Sequence, residues 1–223
     1  MITLIGVEKG GTGKTTLATN LAVMRKNSGN DVLLVDADMQ KSANFWSTKR
    51  EEVLPNNRIP CIQKSGKGIG LELLDLTERY QDIIVDAGGR DSVELRASMA
   101  VANKIYIPIQ ASQFDLWTLD QMDKLIESAK AFNPALQAYI IINRSSSNPS
   151  VTESNETIKL LKDFENLTYS GITICDRIAY RKAASNGLSV LELKPLDHKA
   201  MAEMNTFYKK VYNEKTKFTK SAA

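Results

Sequence analysis

The chain has 223 residues, 43% of them hydrophobic and 25% charged, which is enough for one globular α/β domain with a sizeable core and no second folding unit. Two cysteines, Cys61 and Cys175, without C-x-x-C spacing exclude a disulfide framework and read as buried thiols of a reducing cytoplasm. The single histidine, His198, argues against a transition-metal site built on His and Cys. The net charge of +3 is unevenly placed: from Lys194 onward seven lysines face three acids, so the basic character belongs to the C-terminal end, where it would attract polyanions.

In chain order, the opening run "ITLIGV" is too short for a signal-peptide core and reads as a strand. Glycines follow at once, then a helix beginning near Lys14. The apolar runs "DVLLVDAD", "IPCIQ", "DIIVDAGG", "KIYIPIQ", "AYIIINR" and "ITICDR" follow with helical segments between them. Continuous rather than alternating apolar runs mark strands covered on both faces, so the expected fold is α/β, a doubly wound, mostly parallel sheet flanked by helices. Segments 51–57 ("EEVLPNN") and 145–150 ("SSSNPS") carry turn chemistry and read as loops. The pattern from Asp115 to about Phe132 predicts an amphipathic helix packed on the sheet, with Leu119, Met122, Leu125 and Ile126 in its stripe. A last helix is expected over Asp197–Tyr212, so that residues 1–212 form a single domain and 213–223 a basic tail. No run approaches the roughly 18 consecutive apolar residues of a membrane span.

The chemistry concentrates in "VEKGGTGKTT", residues 7–16. A phosphate loop reads G-x-x-x-x-G-K-[ST], and here Glu8 stands where the first glycine belongs while an extra lysine, Lys9, precedes the glycine pair. A strand, a loop holding Gly10, Gly11, Thr12 and Gly13, and a helix start aim backbone N–H groups and a helix dipole at one point. On this reading Lys14 pairs with the β- and γ-phosphates, Thr15 places its hydroxyl on Mg²⁺, and Thr16 bonds the α-phosphate. Without an anion, two lysines at a helix start oppose the dipole. Asp86, ending "DIIVDAGG", fits a Walker B acid for Mg²⁺, with Gly88 and Gly89 allowing a mobile loop beside the γ-phosphate. Asp36 and Asp38 end another strand one residue apart, and on an extended segment they are expected to point the same way, toward a cation or an activated water.

The stretch "KGGTGKTT" is similar to the deviant Walker A motif K-G-G-x-G-K-[ST]-[ST] of the ParA/MinD superfamily of ATPases. "DADMQ" resembles the family's D-x-D-P-Q, and "RIAYRKAASNGLSVLE" its R-x-x-[YF]-x-x-A-x-x-x-G-x-[ST]-[VI] stretch. The pattern looks most like the small ParA proteins that partition plasmids or position other cargo. The resemblance implies an ATP-dependent sandwich homodimer in which Lys9 reaches the phosphates held by the other subunit. It also implies that Asp38 orients or polarises the attacking water, that Asp36 and Asp86 lie in the Mg²⁺ shell, and that Asn143 lies near the adenine. Met39 replaces the family's usual proline and "DAGG" the commoner D-x-P-P, departures that would alter loop mobility and hydrolysis rate. No histidine or glutamine clamp accompanies Asp38, so slow, partner-stimulated turnover is expected.

The resemblance further implies nonspecific binding to nucleoid DNA, released when an adaptor on the cargo stimulates hydrolysis, in the cytoplasm and on the nucleoid. Candidate DNA contacts are Arg177, Arg181, Lys182, Lys199, Lys209 and Lys210, with Lys215, Lys217 and Lys220 beyond them. Two alternatives stay open: a MinD-like membrane-associated ATPase, for which "NEKTKFTKSAA" offers only Phe218 as an apolar anchor, and an amidoligase-type metabolic enzyme sharing the phosphate loop. A GTPase is disfavoured, because N-K-x-D is absent.

Overall fold

The computed structural model describes residues 1–89, 91–111, 116–148 and 153–212. Among them are seven strands: β1 (Ile2–Ile5), β2 (Val32–Ala37), β3 (Cys61–Gln63), β4 (Asp82–Ala87), β5 (Lys104–Ile109), β6 (Gln137–Ser145) and β7 (Thr168–Cys175). All pair in parallel in one sheet of order β3-β2-β4-β1-β5-β6-β7. Eight helices join them: α1 (Lys14–Asn27), α2 (Ser42–Val53), α3 (Ile69–Leu76), α4 (Val93–Met99), α5 (Leu116–Lys130), α6 (Glu153–Leu160), α7 (Ile178–Ser185) and α8 (His198–Tyr212). The basic tail 213–223, with Lys215, Lys217 and Lys220, lies outside the described residues.

The continuous apolar runs have a direct physical reason. Successive side chains of a strand leave on opposite faces, and both faces here are dry. On one face Leu33, Val35, Ile83, Val85, Ile105 and Ile107 meet α3, α4 and α5. On the other Val32, Leu34, Ile84, Tyr106 and Ile141 meet α1, α2, α7 and α8. Tyr106 stacks on Tyr139 and meets Phe207 of α8 edge-on, with ring centroids 5.3 and 5.2 Å apart.

Two expectations need correction. Residues 51–53 close α2, and Pro55–Asn57 form a 3₁₀ turn, so 51–57 is not simply a loop. The cause is Arg50, fully buried, whose Nε donates to the Asn57 carbonyl and pins the turn back on the helix. The cysteines are free but only half-buried; burial still pushes the Cys61 thiol up to about 12, which keeps it protonated and inert.

The strand order places β1 between β4 and β5, and β4 beside β2. Register then sets Asp86 opposite Ile5 on one side and Asp36 on the other. The ends of three adjacent strands therefore deliver the glycine loop and both aspartates to one edge of the sheet, the edge at which open parallel sheets bind ligands.

Candidate nucleotide-binding site

The loop after β1 wraps the start of α1. Gly11 and Gly13 have φ of 76° and 89°, a region that side chains other than glycine adopt at a cost. At Gly13 there is a second reason: a Cβ would lie 2.4 Å from Asn143 Nδ2. That same nitrogen donates to the Thr12 carbonyl at 2.6 Å, so Asn143, from β6, holds the loop shut against α1. The Gly11 carbonyl accepts from Gln110 Nε2 at 2.9 Å and from Arg144 Nη1 at 2.7 Å. Gln110 and Arg144 escaped the sequence reading, although Gln110 directly follows β5 and Arg144 lies next to the last residue of β6, and a place at the carboxyl end of a parallel strand was the available signal.

Lys14 is buried, and its Nζ donates to the Lys9 carbonyl at 3.2 Å. Burial lowers its pKa, opposed by the charges of Asp86 and Asp38, so an anion placed beside it would restore what desolvation removes. Lys9, next to Gly10 of the loop, is exposed. Thr15 Oγ1 donates to Asp86 Oδ2 at 2.6 Å. The other oxygen, Oδ1, is buried without a partner among the described residues, and burial pushes the Asp86 carboxyl up to about 7. An orphaned oxygen on a desolvated carboxylate, beside a threonine hydroxyl, is a donor set that suits a hard divalent cation. Thr15 and Asp86 would hold Mg²⁺, which would neutralise charge developing on a phosphoryl group.

Asp36 and Asp38 are engaged differently. β2 ends at Ala37, so strand alternation no longer governs Asp38. Asp36 is fully buried, and its oxygens accept the N–H groups of Asp38 at 3.1 Å and of Asn44, in the first turn of α2, at 2.7 Å. Its present work is to anchor a turn. Asp38, half-buried, faces Gly88: a Cβ there would lie 3.6 Å from its carboxyl carbon. Asp38 and Gly88, together with Gly10, Lys14, Thr15, Thr16 and Met39, line an open cleft of about 730 Å³. Gly89 closes it from above, since a Cβ at 89 would sit 3.0 Å from Gly10 Cα and 3.1 Å from Lys14 Nζ.

Residues 4–190 match the CobQ/CobB/MinD/ParA nucleotide binding domain. The chain belongs to this family. It is 29% identical over 208 residues to the maintenance of carboxysome distribution protein A of Halothiobacillus neapolitanus, covering 91% of this chain and 92% of that one. The fold is that of the ATP complex of Cyanothece McdA, with TM-score 0.73, 17% identity and 98% of both chains covered. It also matches a plasmid partition protein of Borrelia burgdorferi bound to AMPPNP, with TM-score 0.67, 20% identity, and 95% and 96% of the two chains covered.

Next to the family's phosphate loop lies a smaller cavity of about 240 Å³, bounded by Gly13, Thr16, Asn143, Ile174, Tyr180 and Arg181. Its walls include Leu17 and Ile174, and Arg144, Asp176 and Arg181 stand among its polar groups. Arg181, read from the sequence as a DNA contact, has its Nη1 on Asp176 Oδ1 at 2.8 Å. Arg177 is half-buried and donates from Nε and Nη2 to Glu203 Oε1 at 2.9 and 2.6 Å, which ties α7 to α8. Lys182, Lys199, Lys209 and Lys210 are exposed. They are not gathered in one place: Lys210 sits over the Tyr139 ring beside the start of β6, at the edge of the sheet opposite Arg181. Among the described residues no helix is long and apolar enough to cross a membrane.

Proposed function

We propose that this chain is a ParA-type positioning ATPase. Two copies close over two Mg·ATP, each lending Lys9 to the phosphates of the other. The closed dimer binds DNA without sequence preference, and slow hydrolysis, stimulated by a cargo-linked adaptor, releases it. Lys14 and the N–H groups of Gly10, Gly11, Thr12 and Gly13 hold the phosphates, with Thr16 at the α-phosphate. Asp38 orients or polarises the attacking water, Thr15 and Asp86 serve the cation, and Asp36 fixes the turn that carries Asp38.

The observation that carries this reading is the second lysine at the cleft: an exposed cation next to a phosphate loop that already has its own lysine inside. A relative named for carboxysome distribution aligns over nine-tenths of the chain, which supports a protein compartment as the cargo. Work of this kind would take place in the cytoplasm and, with ATP bound, on the nucleoid. Lys182, Lys199, Lys209 and Lys210 are the side chains most open to DNA phosphates, and Arg177 and Arg181 would have to leave carboxylate partners to join them.

A DNA-shift assay with ATP, ADP and no nucleotide, at two salt concentrations, tests the reading. Binding that needs ATP and falls steeply with salt is expected. Binding indifferent to nucleotide, or none with ATP at low salt, would refute it and leave the metabolic alternative.

A further inference from the structure

On the face of the sheet away from α1, helices α4 and α5 leave a groove of about 390 Å³ between them. Its walls are apolar: Val93, Ala97 and Ala100 on one side, Leu125, Ala129 and Phe132 on the other. Phe132 is 84% exposed and Val93 44%, which is costly for large side chains that cover nothing. Helix α3 packs closely on α4, where a Cβ at Gly70 would lie 2.9 Å from the Ala97 carbonyl oxygen. It adds exposed Leu71 and Leu74 to the same side of the molecule.

The charged side chains among the described residues that line the groove have one sign: Lys67 and Arg96, with no carboxylate. Lys67 forms no ion pair among the described residues. Arg96 belongs to two places at once: it walls the groove, and its guanidinium forks onto Asp91 at 2.6 and 2.5 Å. Asp91 stands two residues beyond Gly89, which lies against Gly10 of the phosphate loop.

We propose that this groove docks a short amphipathic helix of a partner protein, presenting apolar side chains on one face with carboxylates flanking them. The apolar floor takes the anchors, and Lys67 and Arg96 take the carboxylates. Helix α4, seven residues and so about 10 Å long, offers room for two turns, the length over which i, i+3, i+4 and i+7 anchors engage a groove. A basic helix would meet like charge. A partner carboxylate competes with Asp91 for Arg96, and so loosens the loop over the phosphates; this last step rests on the ATPase reading above.

The test uses the full chain and a labelled model peptide of about 14 residues, leucines at helical spacing and glutamates elsewhere. A twin carries lysines in place of the glutamates. By fluorescence anisotropy without nucleotide, the acidic peptide should bind saturably. Phe132→Glu and Lys67→Glu should each weaken it at least about tenfold, and the basic twin should bind at least about tenfold more weakly. Both substituted side chains are at the surface, so the fold is not at stake. Absence of binding, equal binding of the twins, or binding that survives Phe132→Glu would overturn the docking site. These arms need no ATP, so they fail separately from the ATPase reading. In a second arm, bound acidic peptide should raise phosphate release by the wild-type chain and not by Arg96→Gln; release unchanged by bound peptide would overturn the link through Arg96.

Discussion

Thr15 and Asp86 meet at 2.6 Å, and the bond ties the first turn of the phosphate-loop helix to the end of the neighbouring strand. It satisfies only one carboxylate oxygen, since the other is buried without a partner among the described residues. The chain's own residues therefore bring a threonine hydroxyl and a desolvated carboxylate together at the centre of the site.

The pH dependence of the ligand-free chain follows from this. Burial raises the Asp86 pKa from 3.8 to about 7, so the folded state disfavours the ionised form. The sign is that of a destabilising carboxylate: the cost is absent below about 4, grows as pH rises toward about 7, and is constant above, at no more than about 1.4 kcal/mol per pH unit. Asp86→Asn should remove that slope and raise Tm at pH 8 without nucleotide, while Mg²⁺-dependent hydrolysis is lost. A Tm at pH 8 equal to or below wild type would show that Asp86 is not a strained ion.

Gly13 is required twice over, by its φ of 89° and by Asn143 Nδ2 in the space of its Cβ. Gly13→Ala should cost about 1–3 kcal/mol of stability and abolish nucleotide binding by calorimetry. Adding Asn143→Ala relieves the collision and not the backbone strain. Urea unfolding of the double variant should recover part of the loss, and full recovery would leave the φ argument without support.

Arg50 is fully buried, with Nη1 and Nη2 on Glu192 at 2.9 and 2.8 Å, Nη1 also on the Gly187 carbonyl, and its guanidinium over Trp46. Burial alone would raise the Glu192 pKa, yet hydrogen bonds from Arg50 and the Ser189 N–H take it below the ordinary value. Glu192→Ala leaves a buried cation without its counter-ion and should cost about 3–5 kcal/mol in urea unfolding. Arg50→Met with Glu192→Leu should restore most of that, because the pair's own net contribution is small. A single-variant loss under about 1 kcal/mol would mean that water reaches Arg50.

Much of this molecule is legible in its sequence, for identifiable reasons. The strands announce themselves because a sheet buried on both faces needs unbroken Ile and Val, as in "VLLV" and "DIIVDA". The glycine loop is legible because its backbone geometry admits few residue types. What escaped is long-range. Gln110, just after β5, and Arg144, near the end of β6, reach the Gly11 carbonyl from strands close to β1 in the sheet but far along the chain, so only their place at a strand's carboxyl end hints at the contact. The turn-anchoring bonds of Asp36 are hidden as well, because the N–H of Asn44 that it accepts comes from the next helix and not from the strand that carries Asp36. The split of the basic residues between opposite edges of the sheet is equally hidden, since α7 and α8 are neighbours in sequence.

Lys9, exposed beside the phosphate loop and accepting a hydrogen bond from Lys14 Nζ at its carbonyl, is the residue whose substitution is most decisive. Light scattering with a non-hydrolysable ATP analogue and Mg²⁺ should give a dimer for wild type and a monomer for Lys9→Ala, with analogue binding by calorimetry retained in the variant. A variant that binds the analogue and dimerises as fully as wild type would contradict a cation shared across the interface.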